Sequence, residues 1–156
     1  MLSPLHCQSI IMHQTNAIVM YAPEEVIFEA AADLAQWPSF LPHYRYIRYL
    51  EKSPGRNIVK MAARRGTIPV AWVSEQVIDR EKREVWFTHI KAWTKGMKVV
   101  WRFKTLAAGT EVQIIHDLSF RSRLLAPIAE PIIGRLFIDY IAKQTLTHMK
   151  SHLENK

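Results

Sequence analysis

The feature that most constrains the fold is a regular succession of extended segments that fills the middle of the chain. Six such segments are predicted, at about 45–53, 56–65, 68–79, 83–92, 97–106 and 110–121. Glycine, proline or clustered charged residues separate them, which is typical of turns. Strands joined by such short turns pair with their neighbours, so the pattern predicts an antiparallel meander.

A strand and a helical pair precede this meander. Residues 15–21 predict a short strand, and Pro23 followed by Glu24 is typical of the first turn of a helix. Pro38 and Pro42 restrict the segment around them to a short turn of helix. One strand and two short helices are therefore predicted before the six strands.

The last third of the chain predicts one long helix whose first turns are disturbed by Pro127, Pro131 and Gly134. The apolar residues that recur at helical spacing after this point are Leu136, Phe137, Tyr140, Ile141, Leu146, Met149 and Leu153. Together the elements predict an α+β fold, in which a curved seven-stranded antiparallel sheet wraps around a long C-terminal helix. We expect residues 15–154 to form a single domain and residues 1–14 to be a poorly ordered N-terminal extension.

The chain is basic, with a net charge of +7 from 21 Lys and Arg against 14 Asp and Glu. A basic surface can attract nucleic acid or anionic lipid. The cations are dispersed in pairs, however, and several alternate with apolar residues, as in "KVVWRFK". That alternation favours a solvated strand face, and no recognition-helix or zinc-finger pattern accompanies the charge.

Several classes of site are not predicted. The single cysteine, Cys7, excludes an internal disulfide, and the seven histidines show no paired spacing for a metal. No phosphate-binding loop or nucleophile motif is present, so no cofactor is predicted. No apolar run approaches the roughly 20 residues of a membrane span, and no secretion signal is evident. We therefore expect a cytoplasmic protein.

The stretch "VAWVSEQV", residues 70–77, does not separate into an apolar and a polar face. One face carries Trp72, Ser74 and Gln76, and the other carries a glutamate among small apolar residues. A half-buried strand normally alternates cleanly. Alternation alone leaves open whether the tryptophan face is a core, a solvent surface or a cavity wall.

The order of elements, together with "YAPEEVIFEAAADLAQWPSFLPHY", "AWVSEQV", "AAGTEV" and "IIGRLFIDYIAKQTLTHMK", resembles the START-like helix-grip superfamily (SRPBCC). Within it the chain is similar to the polyketide cyclase/dehydrase group, which includes bacterial aromatase/cyclases. The segment "WPSFLPHY…LEKSPG" is also similar to coenzyme Q-binding START-domain proteins and their ribosome-associated toxin relatives. The resemblance covers roughly residues 15–154.

The resemblance implies that a hydrophobic molecule binds between the sheet and the long helix. In aromatase/cyclases this cavity folds a poly-β-ketone and assists aldol closure and dehydration. Tyr44, Gln76 and His89 are the candidate catalytic residues. Gln76 falls where the resembling cyclases carry an arginine, and His89 falls near a second one; an amide supplies no full positive charge, so these departures favour binding over chemistry.

The candidate ligand-binding residues are Trp37, Leu41, Trp72, Ser74, Trp101, Phe103, His116, Leu136 and Tyr140. The alternation of their strands also allows His89 and His116 to point inward, where a histidine either serves as acid or base or is hydrogen-bonded within the core. Ser74 and Gln76 likewise contact either a ligand or their protein neighbours. Tyr44 either donates its phenol proton to a ligand or covers the cavity entrance.

Three functions follow from these observations. The first is binding of an aromatic or polyketide-like molecule, with assistance to its cyclisation and dehydration and with an acyl carrier protein as a partner. The second is a non-catalytic carrier or chaperone for a lipid or quinone, drawing on a membrane quinone pool. The third, which the net charge and the toxin-like segment motivate, is association with the ribosome or RNA. The sequence predicts neither the ligand's identity nor the oligomeric state.

Overall fold

The structure, a computed structural model, describes residues 10–92, 94–120 and 131–156. Within these residues seven strands form one antiparallel sheet, in the order β1-β7-β6-β5-β4-β3-β2. The strands are β1 (Ile10–Met20), β2 (Tyr44–Ser53), β3 (Arg56–Arg65), β4 (Ile68–Asp79), β5 (Glu84–Lys91), β6 (Lys98–Leu106) and β7 (Gly109–Phe120). The predicted meander is confirmed, since β2 to β7 each pair with the next strand along the chain.

Two helices and a 3₁₀ turn follow β1, and a long helical element ends the described chain. The helices are α1 (Glu24–Ala32), a 3₁₀ turn (Leu34–Gln36), α2 (Trp37–Phe40), a π-helical segment (Pro131–Asp139) and α3 (Tyr140–Glu154). The predicted α+β architecture is therefore confirmed, including the two short helices after the first strand. Pro127, which was expected to disturb the long helix, lies outside the described residues.

The first strand is longer than predicted. It begins at Ile10 rather than at residue 15, and its pairing with β7 runs unbroken from Ile10 opposite Phe120 to Met20 opposite Thr110. Polar His13 and Gln14 interrupt the apolar pattern of this segment, so the sequence signal is weak there. Main-chain hydrogen bonds to β7 hold residues 10–14 in the strand, although their side-chain pattern does not indicate one.

The sheet closes around α3 because several of its strands are bulged. The pairing register shifts once between β4 and β5, after Val73, and twice between β2 and β3. Such irregularities bend a strand and increase its twist. Leu146 and Met149 of α3 pack against the concave face, where Val59, Val85 and Val112 are wholly buried. No helix within the described ranges is long and apolar enough to cross a membrane.

Candidate ligand-binding cavity

A cavity of about 90 Å³ lies between the concave face of the sheet and the C-terminal helical elements. Its aromatic lining includes Trp37 from α2 and Tyr44, Trp72, Phe87 and Trp101 from the sheet. Its helix side is mainly aliphatic, and the residues there are Ile133, Phe137, Ile138, Ile141, Ala142 and Thr145. No lysine, arginine, aspartate or glutamate is found among the described residues that line it. An uncharged, aromatic-walled space of this kind is suited to a hydrophobic ligand.

Trp37 is the central side chain of the aromatic wall. It begins α2, and its indole Nε1–H donates a 2.9 Å hydrogen bond to the carbonyl of Ala30 in α1. That bond satisfies the one polar atom of the ring, so the remaining surface can be buried at no cost in hydrogen bonds. Its ring centroid lies 5.3 Å from that of Tyr44 and 5.6 Å from that of Trp101. The short helix therefore holds the wall of the cavity in one orientation.

Tyr44 brings a hydroxyl group to this wall. Burial raises the pKa of its phenol above the ordinary value, and hydrogen bonding with Thr145 partly offsets that rise. The Thr145 hydroxyl donates to the carbonyl of Ile141 at 2.7 Å and lies 2.9 Å from His43 Nε2. Since its proton is already directed to Ile141, Thr145 accepts a hydrogen bond from His43. The phenol stays protonated at neutral pH. Because the Thr145 proton is directed to Ile141, the phenol donates its one proton to the Thr145 hydroxyl.

His89 and His116 are the two imidazoles on the cavity. Burial, together with the nearby His116, lowers the pKa of His89 to about 3. Burial lowers the pKa of His116 to about 4, against an opposing effect from Asp117. Both rings are therefore neutral at pH 7, and each has one donor and one acceptor nitrogen.

The two imidazoles differ in how they are held. The Nδ1 atom of His89 lies 2.7 Å from the Thr94 hydroxyl, and its ring stacks on Trp72 with centroids 5.6 Å apart and planes within 6°. The Nδ1 atom of His116 is buried and has no hydrogen-bond partner in the described part of the chain. His89 is thus fixed in orientation, whereas His116 has unused hydrogen-bonding capacity beside an apolar cavity.

Gln76 and Ser74 point to the inside of the sheet but do not line the cavity. Both are completely buried. The Gln76 side chain accepts a 2.9 Å hydrogen bond from Asn57 Nδ2 and donates one of 2.9 Å to the carbonyl of Ala32, the last residue of α1. The Ser74 hydroxyl has no partner within the described residues. The face that alternation left undecided is therefore an inner face, with Val70 and Trp72 at the cavity.

Four other predicted ligand-binding residues lie away from the cavity lining. Leu41 is completely buried in the core, and Phe103 packs edge-on against Phe28 with centroids 5.7 Å apart. Leu136 is 45% exposed, and Tyr140 lies beneath the guanidinium of Arg65, 5.0 Å from the ring centroid. The predicted catalytic and binding roles of all these residues stay predictions.

The helix residues at the cavity differ from those predicted because residues 131–139 are π-helical. Hydrogen bonds from i to i+5 turn the chain by a smaller angle per residue than an α-helix does. The inward face therefore carries Ile133, Phe137 and Ile138, and Leu136 turns to solvent. A 3.6-residue period applied across this segment predicts Phe137 and Ile141 on the inner face, where they line the cavity, but also Leu136, which does not.

Two polar residues at the cavity had not been predicted from the sequence. Thr145 lies four residues after Ile141, within the apolar stripe of α3, and that position is a usable signal for an inward hydroxyl. Thr94 lies in the loop between β5 and β6, where no periodicity exists to indicate its direction. No group of three or more metal-ligating side chains is found in the part of the chain that the structure describes.

A bent antiparallel sheet around a long C-terminal helix, with an apolar space between them, defines a START-like helix-grip protein. A family model described as polyketide cyclase/dehydrase and lipid transport matches residues 20–143. The match covers most of the chain, which therefore belongs to this family.

Two relatives are multifunctional enzymes of polyketide synthesis. The chain is 27% identical to the actinorhodin polyketide synthase bifunctional cyclase/dehydratase of Streptomyces coelicolor over 100 residues, 63% of this chain and 32% of that protein. It is 25% identical to the granaticin polyketide synthase bifunctional cyclase/dehydratase of Streptomyces violaceoruber over 118 residues, 73% of this chain and 36% of that protein. The matched region thus spans about a third of each relative.

Solved structures show the same fold at low sequence identity. The Zhui aromatase/cyclase from Streptomyces sp. R1128 superposes with a TM-score of 0.80 at 17% identity, covering 93% of this chain and 94% of that one. A START superfamily protein from Mycobacterium smegmatis superposes with a TM-score of 0.69 at 13% identity, covering 93% and 97%. These likenesses establish the helix-grip fold.

Proposed function

We propose that the protein binds an aromatic or polyketide-like molecule in the cavity and assists its cyclisation and dehydration. The observation that carries the proposal is a set of neutral hydrogen-bonding groups on an otherwise apolar, aromatic wall. Tyr44, His89 and His116 are those groups. The relatives named as bifunctional cyclase/dehydratases support the class of reaction.

The residues favour positioning over strong acid–base catalysis. A poly-β-ketone held in a bent conformation has its reacting carbons close together, which lowers the entropic part of the barrier. Tyr44 turns its phenol proton from Thr145 to the carbonyl oxygen that gains negative charge as the new carbon–carbon bond forms. The lowered pKa values of His89 and His116 make them weak bases, so they act through neutral N–H donors.

Ligand binding requires the cavity to widen. Drug-sized ligands occupy sites of roughly 300–1,000 Å³, whereas the cavity measures about 90 Å³. Val70, Trp72, Phe137 and Ile141 line it and are only partly buried, so they form its accessible side. We expect these side chains to separate when a ligand enters.

Binding is tested by titration with a hydroxyanthraquinone while tryptophan fluorescence is followed. Trp37, Trp72 and Trp101 line the cavity, so bound quinone quenches their emission. Ala142→Leu places a larger side chain in the cavity. Because the ligand and this side chain then overpack the same space, at a cost of about 1–3 kcal/mol, we expect the affinity for the quinone to fall about tenfold or more. Thr147→Leu, exposed on the same helix, is the matched control and keeps the wild-type affinity. Equal affinity in both variants would place the ligand elsewhere.

Catalysis is tested by following the absorbance of a synthetic poly-β-ketone thioester as its ring becomes aromatic. Tyr44→Phe removes the phenol hydroxyl and retains the ring. We expect turnover to fall about a hundredfold, as when one oxyanion donor is removed, with hydroxyanthraquinone affinity unchanged. Equal turnover in wild type, Tyr44→Phe and protein-free buffer contradicts the enzymatic part of the proposal and leaves binding intact.

A carrier of lipid or quinone is the second candidate function. The described lining residues include no cation that could stabilise an enolate, and this favours binding without chemistry. Native mass spectrometry of protein purified from its own host distinguishes the two functions. A retained prenyl quinone or lipid supports the carrier, and an empty protein that turns over the poly-β-ketone supports the cyclase.

A further inference from the structure

Positive charge is concentrated in two segments of the chain, which contain β3, β6 and most of β4 and β5. Residues 52–74 carry five cations and no acidic residue, and residues 85–110 carry five more with no acidic residue. Within the described chain, only Arg56 and Arg102 of these ten form ion pairs, with Glu75 and Glu84 respectively. Most of this charge is therefore not neutralised by the protein itself.

The strand register sets Lys60, one of these cations, directly against another cation. On the convex face Arg48 of β2 lies directly opposite Lys60 of β3. Directly opposed like charges destabilise a sheet. A partner that supplies negative charge relieves this repulsion.

Exposed apolar side chains lie at one end of this basic region. Ile68 is 55% exposed, Leu136 is 45% exposed and Ile132 is 41% exposed. Arg65 of the β3–β4 hairpin donates a 2.7 Å hydrogen bond from Nη1 to the Leu136 carbonyl, which joins the hairpin to the π-helical segment. We call Ile68, Ile132 and Leu136, with the adjacent Arg64 and Arg65, the mouth patch.

The mouth patch is continuous with the cavity lining. Ile68, Val70 and Trp72 alternate along β4 on one side of the strand, and the last two line the cavity. Ile133 and Phe137, which also line it, are the immediate neighbours of Ile132 and Leu136. An apolar path therefore leads from the protein surface to the binding cavity.

We propose that the mouth patch docks on a bilayer that contains anionic phospholipid. Ile68, Ile132 and Leu136 enter the acyl boundary, and Arg64, Arg48 and Lys60 contact the headgroups. Exposed aliphatic side chains at the entrance of an apolar cavity favour a bilayer over nucleic acid or an acidic protein, which the charge alone would also suit. The inference rests on the proposed function, because the docked entrance transfers a hydrophobic ligand between bilayer and cavity.

Flotation with phosphatidylcholine vesicles, with and without phosphatidylserine, tests this proposal. We expect binding only when phosphatidylserine is present. Arg64→Gln should weaken it about fivefold, as expected for one surface cation, and Ile68→Ser about tenfold, as expected for one buried aliphatic side chain. Lys82→Gln, in the turn that follows the opposite end of β4, and Leu50→Ser, on the exposed edge strand β2, are matched controls that retain binding.

The outcomes are separable from those of the proposed function. Absence of vesicle binding, indifference to phosphatidylserine, or equal losses in test and control variants would overturn docking. A hydroxyanthraquinone titration without vesicles, together with thermal melting, checks that each variant is folded and that its cavity is intact. If the protein binds vesicles but no hydroxyanthraquinone, the docking proposal stands and the proposed ligand of the cavity is wrong.

Discussion

Gln76 shows that a residue at a position that is catalytic in resembling proteins can have a structural role. Both ends of its amide are engaged, one by Asn57 of β3 and the other by the carbonyl that ends α1. The side chain is completely buried, so these bonds replace water rather than compete with it. The amide therefore joins the sheet to the C-terminal end of α1.

Replacement of Gln76 by leucine is expected to destabilise the protein with no effect on the cavity. Gln76→Leu leaves the Asn57 amide and the Ala32 carbonyl without their partner, at a cost of about 1–3 kcal/mol each. Chemical denaturation measures the loss, and hydroxyanthraquinone titration measures affinity. Replacing Asn57 by leucine as well should recover part of the stability. Weakened ligand binding at unchanged stability would instead assign Gln76 to the ligand site.

The buried histidines predict a dependence of stability on pH. Burial lowers the pKa of His43 and of His116 from 6.5 to about 4, and that of His89 to about 3; His148 adds to the effect at His43. Below pH 6.5 the unfolded chain binds protons that the folded chain excludes. The free energy of unfolding should therefore fall as the pH is lowered from 6.5 to about 4, by up to about 1.4 kcal/mol per pH unit for each histidine.

Denaturation at a series of pH values tests the sign and the source of this effect. His116→Gln should reduce the slope of unfolding free energy against pH between about pH 6.5 and 4, whereas Thr147→Leu, at an exposed position of α3, should leave it unchanged. Above pH 7 these three buried histidines do not change the free energy of unfolding with pH. A flat profile through the window would show that the rings are protonated in the folded protein.

Among the elements, the strands were predictable from the sequence, because their turns and alternation are local signals. Which side chains of β4 reach the cavity was predictable only in part. Alternation assigns Ser74 and Gln76 to the same side as Trp72, but the strand is longer than the cavity is wide. Trp72 therefore reaches the cavity, and Gln76 reaches the end of α1. The π-helical register could not be predicted, since it depends on packing against the sheet.

The junction between β1 and β7 gives a prediction at this scale. Gly109 begins β7 with φ +147°, and a Cβ atom there would lie 2.8 Å from the Met20 carbonyl. Gly109→Ala should cost about 1–3 kcal/mol from backbone strain, with an added cost from the contact. Gly66→Ala, at φ +60° with open space around it, is the matched control and should cost less. Equal thermal stability of the two variants would contradict the close approach.

For the whole molecule, the architecture was more accessible to prediction than the chemistry. Six of the residues named from the sequence converge on the cavity: Trp37, Tyr44, Trp72, His89, Trp101 and His116. They converge because aromatic side chains on successive inner strand faces must meet once the sheet bends. Hydroxyl groups that orient two of them, Thr94 at His89 and Thr145 at Tyr44, come from a loop and a helix whose placement is a property of the folded chain.

The position of β1 has a consequence for how the chain folds. Its partner is β7, so Ile10 and Phe120 must meet across about a hundred intervening positions, whereas each other pair of strands is joined by a short turn. Closing so large a loop is entropically costly, and topologies with such distant pairings fold slowly. During synthesis β1 has no partner until β7 emerges, and both present unpaired edges meanwhile. Until β1 and β7 pair, the nascent chain is therefore open to aggregation through these edges.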